Sequence, residues 1–358
     1  MAISTPKFAT QKQSFHAELK KRINQYFTER QISTTGNYKL YIKAVVLLLS
    51  FAFTYVHLVF FTPPAVWAIV ECAAFGCIIS AIGFNVMHDG AHGSFSRYDW
   101  VNNLASNVAN FLGASQHMWK SKHNIIHHTY TNIHGVDDDI EARPLLRLCE
   151  EQEPYKIHRY QHWYFWAAYS LLYIWWIFVT DYKKYFTGKI GNVPLRKMTA
   201  KEHFYFWFYK VAHAFIFIAL PIYMVGFSAW IVGFLTMGLV AGFVLSIVFQ
   251  LAHTVEHTHF PLPDNATNKM EDEWAIHQLK TTANFATRNK VISWFVGGLN
   301  FQIEHHLFPK ISHVHYPQIS KIIKQACKDF NVEYVEYRKM TQAIVSHVSY
   351  LKHVGQAS

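Results

Sequence analysis

Residues 228–250 read SAWIVGFLTMGLVAGFVLSIVFQ, without a single charged side chain. At about 1.5 Å of rise per residue, some 20 apolar residues cross the roughly 30 Å hydrocarbon layer of a bilayer. The run is therefore read as a membrane span. It leads straight into His253-Thr254-Val255-Glu256-His257, a polar segment carrying two histidines. A span that ends in a histidine pair sets the terms for the rest of the chain.

Working outward, residues 204–225 form a second apolar run, joined to the first by Gly226 and Phe227 with no charge between them. Nearer the N-terminus, residues 39–61 (KLYIKAVVLLLSFAFTYVHLVFF) and 65–87 make another hairpin, broken at Pro63 and Pro64, the second run carrying only Glu71. Residues 163–180 (WYFWAAYSLLYIWWIFVT) are apolar but dense in Trp and Tyr, rings that favour the membrane interface. They are read as an interfacial or re-entrant helix, because a full crossing would strand residues 253–358 on the opposite side from residues 88–128. Lys120, Lys122, Lys183, Lys184, Lys189, Arg196, Lys197 and Lys201 lie between the hairpins. The positive-inside rule then places that face, and both termini, in the cytoplasm.

The expected fold is all-α and integral to the membrane: four transmembrane helices in two hairpins, interfacial helices and a cytoplasmic helical cap. Its parts are a cytoplasmic N-terminal segment (1–38), a membrane domain (39–340) and a C-terminal tail (341–358). Residues 1–38 are polar and basic, with no apolar core of a signal peptide, and Lys20, Lys21 and Arg22 are read as marking a solvated or membrane-surface helix. Residues 271–286 and 317–330 are read as amphipathic helices of the cap.

Composition agrees. Hydrophobic residues make up 51% of the 358 and charged ones 16%, against about 25% charged in a soluble domain. Aromatics at 17% exclude disorder. The formal charge of +10 comes largely from residues flanking apolar runs, which makes membrane lipid, not nucleic acid, the partner. The four cysteines form no CxxC, so neither a disulfide framework nor a zinc ribbon is indicated.

Histidine is the outlier, with 23 copies. Four clusters stand out: His88-Asp89-Gly90-Ala91-His92, His123-Asn124-Ile125-Ile126-His127-His128, the pair His253 and His257, and Gln302-Ile303-Glu304-His305-His306. Residues i and i+4 share a helix face, which groups His88 with His92, His123 with His127, His253 with His257 and Gln302 with His306. The adjacent His128 and His305 are rotated off that face, within reach of a second metal. Imidazole suits iron, zinc, copper and nickel. Nine histidines exceed what one ion can bind, so a dinuclear site is expected. All four clusters fall on the cytoplasmic side of the assigned topology. No HExxH occurs, which excludes a zincin site, and the paired ExxH of soluble di-iron bundles is missing. Asp137, Asp138, Asp139 and Glu141 are read as a solvated loop or as contacts to ligands or substrate. His57 and His213 are read as satisfied interior groups, and His16, His347 and His353 as residues of the tails.

As a set, HDGAH, HNIIHH and QIEHH closely resemble the three histidine boxes of the membrane fatty-acyl desaturases, over roughly residues 40–330. Two boxes follow the first hairpin and one the second, as in that family. The Gln-x-x-His-His form beginning at Gln302 is similar to front-end desaturases, which insert a double bond between an existing one and the carboxyl end. Those proteins usually carry a fused haem domain with a His-Pro-Gly-Gly motif. None occurs here and residues 1–38 are too short for it, so a separate electron donor is expected, ferredoxin-like or a b-type cytochrome.

The resemblance implies two irons held by His88, His92, His123, His127, His128, His305 and His306. The family's further ligand segment maps onto His253 and His257, and Gln302 is a weak or water-mediated ligand. It also implies an oxidoreductase that takes two hydrogens from an acyl chain to leave a cis double bond, with O2 as co-substrate and two electrons from the donor. The acyl group would be carried by CoA, a carrier protein or a lipid. No side chain is oxidising enough to attack an unactivated CH2, which is why the metal is needed. Asp89, Glu256 and Glu304 stand beside ligands, placed to accept an imidazole N–H. Trp119, Trp274 and Trp294 are expected to line a dry acyl tunnel. A hydroxylase on the same scaffold and a non-enzymatic metal or haem-handling membrane protein are the competing readings.

Overall fold

The computed structural model describes residues 5–11 and 14–357; the remaining few positions at the ends of the 1–38 and 341–358 segments, and residues 12–13, lie outside it. Helix α1 (Phe15–Arg30) is amphipathic and buries Phe15, Leu19, Ile23 and Phe27. Four helices are long and apolar enough to span a membrane: α2 (Tyr38–Phe61), α3 (Ala65–His92), then Ala200–Val225 and Phe227–His253. They coincide with the four runs read from the sequence. Between the hairpins come α4 (Asp99–Phe111), α5 (116–130) and α6 (161–187). The second hairpin is α7 (Ala200–Val225) and α8 (Phe227–His253). The cap comprises α9 (Trp274–Lys280), α10 (Lys290–Phe295), α11 (Gln302–Leu307), α12 (Tyr316–Asp329) and α13 (Met340–Gln356).

The position of the site follows from one helix pair. Helices α3 and α8 approach closely where small residues meet: a Cβ on Gly76 would sit 2.5 Å from the Met237 carbonyl. The Ser80 hydroxyl donates to the Gly76 and Ala241 carbonyls. Small side chains at such crossings let helix backbones touch. His88 lies as far along α3 from Gly76 as His253 lies along α8 from Ala241, about 18 Å in each case. The two histidines therefore end up side by side at the same end of the bundle.

That meeting also bears on α6. Were residues 163–180 to cross fully, the ends of α3 and α8 would lie on opposite sides. Instead α6, broken at Leu171, buries Phe165, Tyr169, Tyr173 and Ile177 and leaves Trp163 and Trp175 exposed. It packs on α8 so closely that a Cβ on Gly242 would meet the Ser170 carbonyl.

Three expectations need correction. The 271–286 segment is helical only over Trp274–Lys280, and continues as the short strand Asn284–Phe285 paired in parallel with Glu336–Tyr337. Residues 341–358 do not trail as a tail. They form α13, whose His347 and Leu351 are fully buried and whose end is held by the buried Arg147 guanidinium, donating to the Val354 and Ala357 carbonyls. The basic residues of α1 do not make it a free surface helix, since it docks through its apolar face onto α12 and α9.

Candidate metal centre

Each histidine segment is shaped locally. His88 and His92 occupy the last turns of α3, just after a widened turn over Gly83–Met87 in which the His88 N–H donates to the Gly83 carbonyl. Such i→i+5 turns are frequent at functional sites. Gly90 lets this turn lie against α4, since a Cβ there would come within 2.7 Å of Ala105 Cβ and Ser106 N. In α5 the turn over Ser121–His127 is also widened, with the His128 N–H donating to the His123 carbonyl. In a helix closed i→i+5, the fifth residue returns over the first. His128 therefore points to the same side as His123, not away from it as an α-helix would require. His305 and His306 lie in α11.

Eight buried imidazoles meet: His88, His92, His123, His127, His128, His253, His305 and His306. Ligand atoms of His88, His92, His123 and His305 lie within 4.8 Å of one another, and so do those of His127, His253 and His306. The His128 ring sits between the groups, 4.5 Å from both His305 and His306. The Nε2 atom of His123 is 3.2 Å from the Nε2 atoms of His88 and His128. The Nε2 atoms of His92, His253, His305 and His306 are buried without any partner.

The opposite ring nitrogens explain this inward orientation. Nδ1 of His253 donates to the Thr281 carbonyl at 3.1 Å, and Nδ1 of His306 to Oε1 of Gln278 at 2.9 Å. Nδ1 of His127 donates to Asp137 at 3.0 Å and lies 3.3 Å from Asp139. The Tyr316 hydroxyl is 3.1 Å from Nδ1 of His305. A hydrogen committed to Nδ1 leaves a bare lone pair on Nε2, the arrangement in which proteins present imidazole to a metal. Burial, reinforced by neighbouring imidazoles, pushes His123, His128, His305 and His306 well below the ordinary histidine range, so they stay neutral and able to coordinate. Burial works in the same direction on His127, but Asp137 and Asp139 outweigh it and raise that group. Buried lone pairs facing one another cost free energy unless a cation draws them together. Two such groups side by side fit two metal ions.

Not every residue singled out in the sequence is here. His257 is exposed, its ring 6.3 Å from that of Tyr337, and belongs to neither group. The reason is local: α8 ends at His253, and the Thr258 hydroxyl takes the His253 carbonyl and accepts from the Val255 N–H. The i,i+4 relation to His257 is lost with the helix. Glu256 is exposed and accepts from Ser349. Glu304 is buried but accepts from Asn284 and Tyr334, not from an imidazole, and its burial raises it. Gln302 is buried with its Nε2 unpartnered. Asp89 does approach a ligand, with Oδ1 3.9 Å from Nδ1 of His88.

Of the tryptophans, Trp119 packs against the imidazole rings, stacked on His123 at 4.4 Å. Trp274 donates to the His128 carbonyl, and Trp294 lies half-exposed over Lys43. Lys122 is engaged by Asp139 and Asp138, so it is not a free cation. Of the acidic loop, Asp137 and Asp139 reach the site. Gln278, Thr281 and Tyr316 carry no sequence signal, because an ordinary polar residue gains this role only through the fold.

The family model of the fatty acid desaturases matches residues 64–338. The chain belongs to the fatty acid desaturase family. It is similar to the sn-1 linoleoyl-lipid 6-desaturase of Arthrospira platensis, at 36% identity over 95% of this chain and 92% of that one. It is similar also to the protein of that name from Synechocystis sp., 35% identical over 98% of each. An acyl-lipid (8-3)-desaturase of Physcomitrium patens is 33% identical over 96% of this chain and 72% of its own length. The desaturase is thus a membrane oxidoreductase of lipid metabolism that introduces double bonds into acyl chains, and the hydroxylase reading is not favoured. Its buried histidines form a site suited to metal.

Proposed function

We propose that the desaturase holds one iron in the group of His88, His92, His123 and His305 and a second in the group of His127, His253 and His306, with His128 between them. The observation that carries this is the convergence of bare, buried Nε2 atoms into two adjoining sets. His257, exposed beside Tyr337, has no place in it. When bound, the iron pair, with O2 and two electrons from a separate donor, supplies the oxidising power that no side chain has. The donor is a ferredoxin-like protein or a b-type cytochrome.

The chain's own residues set the geometry. Thr281, Gln278, Asp137 and Tyr316 hold the Nδ1 side of four rings, so that no ligand has to reorient or lose a proton from neutral imidazole. Trp119 and Phe249, at 4.4 and 6.1 Å from the His123 ring, form an apolar wall that keeps water from the site and offers a surface to an acyl chain.

The substrate is a lipid-linked acyl chain, as the names of the relatives suggest, and the new bond is of the front-end type, as Gln302 suggests. The lysines between the hairpins put the site on the cytoplasmic face. The experiment is lipid mass spectrometry after derivatisation, in a host expressing the chain with a ferredoxin, beside the His305→Ala/His306→Ala variant. A new double bond seen only with the intact chain is the expected result. A hydroxylated product, or unaltered lipids with the donor supplied, overturns the reading.

A further inference from the structure

Lys43 lies inside the first span and is buried. A charged side chain in a span marks function by default, with its partner to be named. Its Nζ donates to Oδ1 of Asn85 at 2.6 Å, to the Trp294 carbonyl at 3.2 Å and to Nε2 of His313 at 3.1 Å. An ammonium has three hydrogens and no acceptor. All three are therefore used, and Nε2 of His313 has to be the bare nitrogen. The hydrogen of His313 is thereby fixed on Nδ1, which donates to Oδ2 of Asp89 at 2.9 Å. The Ser312 hydroxyl donates to the same oxygen at 2.9 Å. The other oxygen, Oδ1, faces Nδ1 of His88 at 3.9 Å.

The side chains of Lys43, Asn85, His313, Ser312, Asp89 and His88 are all buried. Among the described residues, Lys43 is the cation that balances Asp89 through a neutral imidazole. Had His313 instead carried its hydrogen on Nε2, it would clash with the ammonium and leave Asp89 with the Ser312 hydroxyl but no donor from the ring. Nδ1 of His88 has no hydrogen-bond partner, so the buried carboxylate 3.9 Å away acts on it through its charge, favouring hydrogen on Nδ1 and a lone pair on Nε2, toward His123.

We infer that Lys43 is a positioning residue for the metal centre: acting through His313 and Asp89, it sets the orientation and tautomer of His88 from the first transmembrane helix. The inference rests on reading the histidine groups as iron ligands. It assigns a role to a helix that contributes no ligand itself. It also predicts an asymmetry, since only the group containing His88 is wired to Lys43.

The test uses the full chain purified in detergent, with iron per chain measured by elemental mass spectrometry alongside turnover and the thermal unfolding midpoint. The wild type is expected to hold two irons. Lys43→Met is expected to hold close to one and to turn over about tenfold more slowly, in the range found when partners behind metal ligands are removed. Lys43→Arg, which keeps a cation and donors, is expected to recover much of both. His313→Leu is expected to match Lys43→Met, and the double variant to be no worse than the worse single one, because the two act in series. If Lys43→Met does not fold, His313→Gln reads the same link. Two irons and unreduced turnover in Lys43→Met, or losses that multiply in the double variant, overturn the inference alone. A wild-type protein that binds no iron overturns the metal reading, and the inference with it.

Discussion

At the scale of the residue, the chemistry of this desaturase is set by which ring nitrogen carries hydrogen. His127 shows it best, because its Nδ1 is held by two carboxylates, Asp137 and Asp139. Asp137 also accepts from the Asn132 N–H, so its geometry is fixed independently of the histidine. Asp137→Asn keeps the shape but removes the charge and permits an amide N–H to face Nδ1, which favours the wrong tautomer. Turnover is expected to fall by about 10- to 100-fold, with weaker iron retention under chelator challenge. An unchanged iron content in that variant would show that the carboxylate does not govern the ligand. The sequence made Asp137 visible only as one of a run of acids, with nothing to single it out from Asp138, which instead pairs with Lys184.

Among the elements, the long apolar runs were legible because length and absence of charge suffice to mark a span. The box histidines were legible because their spacing is local. What escaped were features decided by partners far along the chain. His347 looked like a residue of a tail, yet its Nδ1 donates to the Thr254 carbonyl and its Nε2 lies 2.9 Å from the Tyr169 hydroxyl, tying α13 to α8 and α6. His128 was assigned to the wrong face, because a widened turn has no sequence signature as clear as i,i+4 spacing. Gly90 belongs to this scale too. With Gly90→Ala, the new Cβ meets backbone at Ser106 N and Asn102 O, neither of which can swing away. Overpacking of this kind costs about 1–3 kcal/mol. A lower unfolding midpoint is expected, with reduced iron content because His88 and His92 flank the displaced residue. A variant as stable and as iron-loaded as the wild type would show that α4 yields easily.

For the whole molecule, buried neutral histidines make the fold sensitive to acid. Burial lowers both His277 and His347 to about 4. In the unfolded chain each takes up a proton below about pH 6.5. The folded protein refuses it until pH falls to about 4. The unfolded state therefore binds more protons across that window, and stability declines as pH drops from about 6.5, by about 1.4 kcal/mol per unit for each group. The midpoint of thermal unfolding in detergent is expected to hold between pH 7.5 and about 6.5 and to fall from there to pH 5. The His347→Gln variant, which keeps a donor without the titration, should flatten the slope. A midpoint insensitive to pH over this range would contradict it.

Each of the two imidazole groups takes members from well-separated stretches of chain, and each includes one residue of α11, His305 in one and His306 in the other. A ribosome delivers the first hairpin, with His88 and His92, long before it delivers α11. Neither group is complete until some 300 residues have emerged and both hairpins have settled into the bilayer. Metal loading is accordingly a late act of biogenesis. A truncated or stalled chain exposes histidines but no finished site, and a half-made enzyme is spared a reactive centre with nothing in its grip.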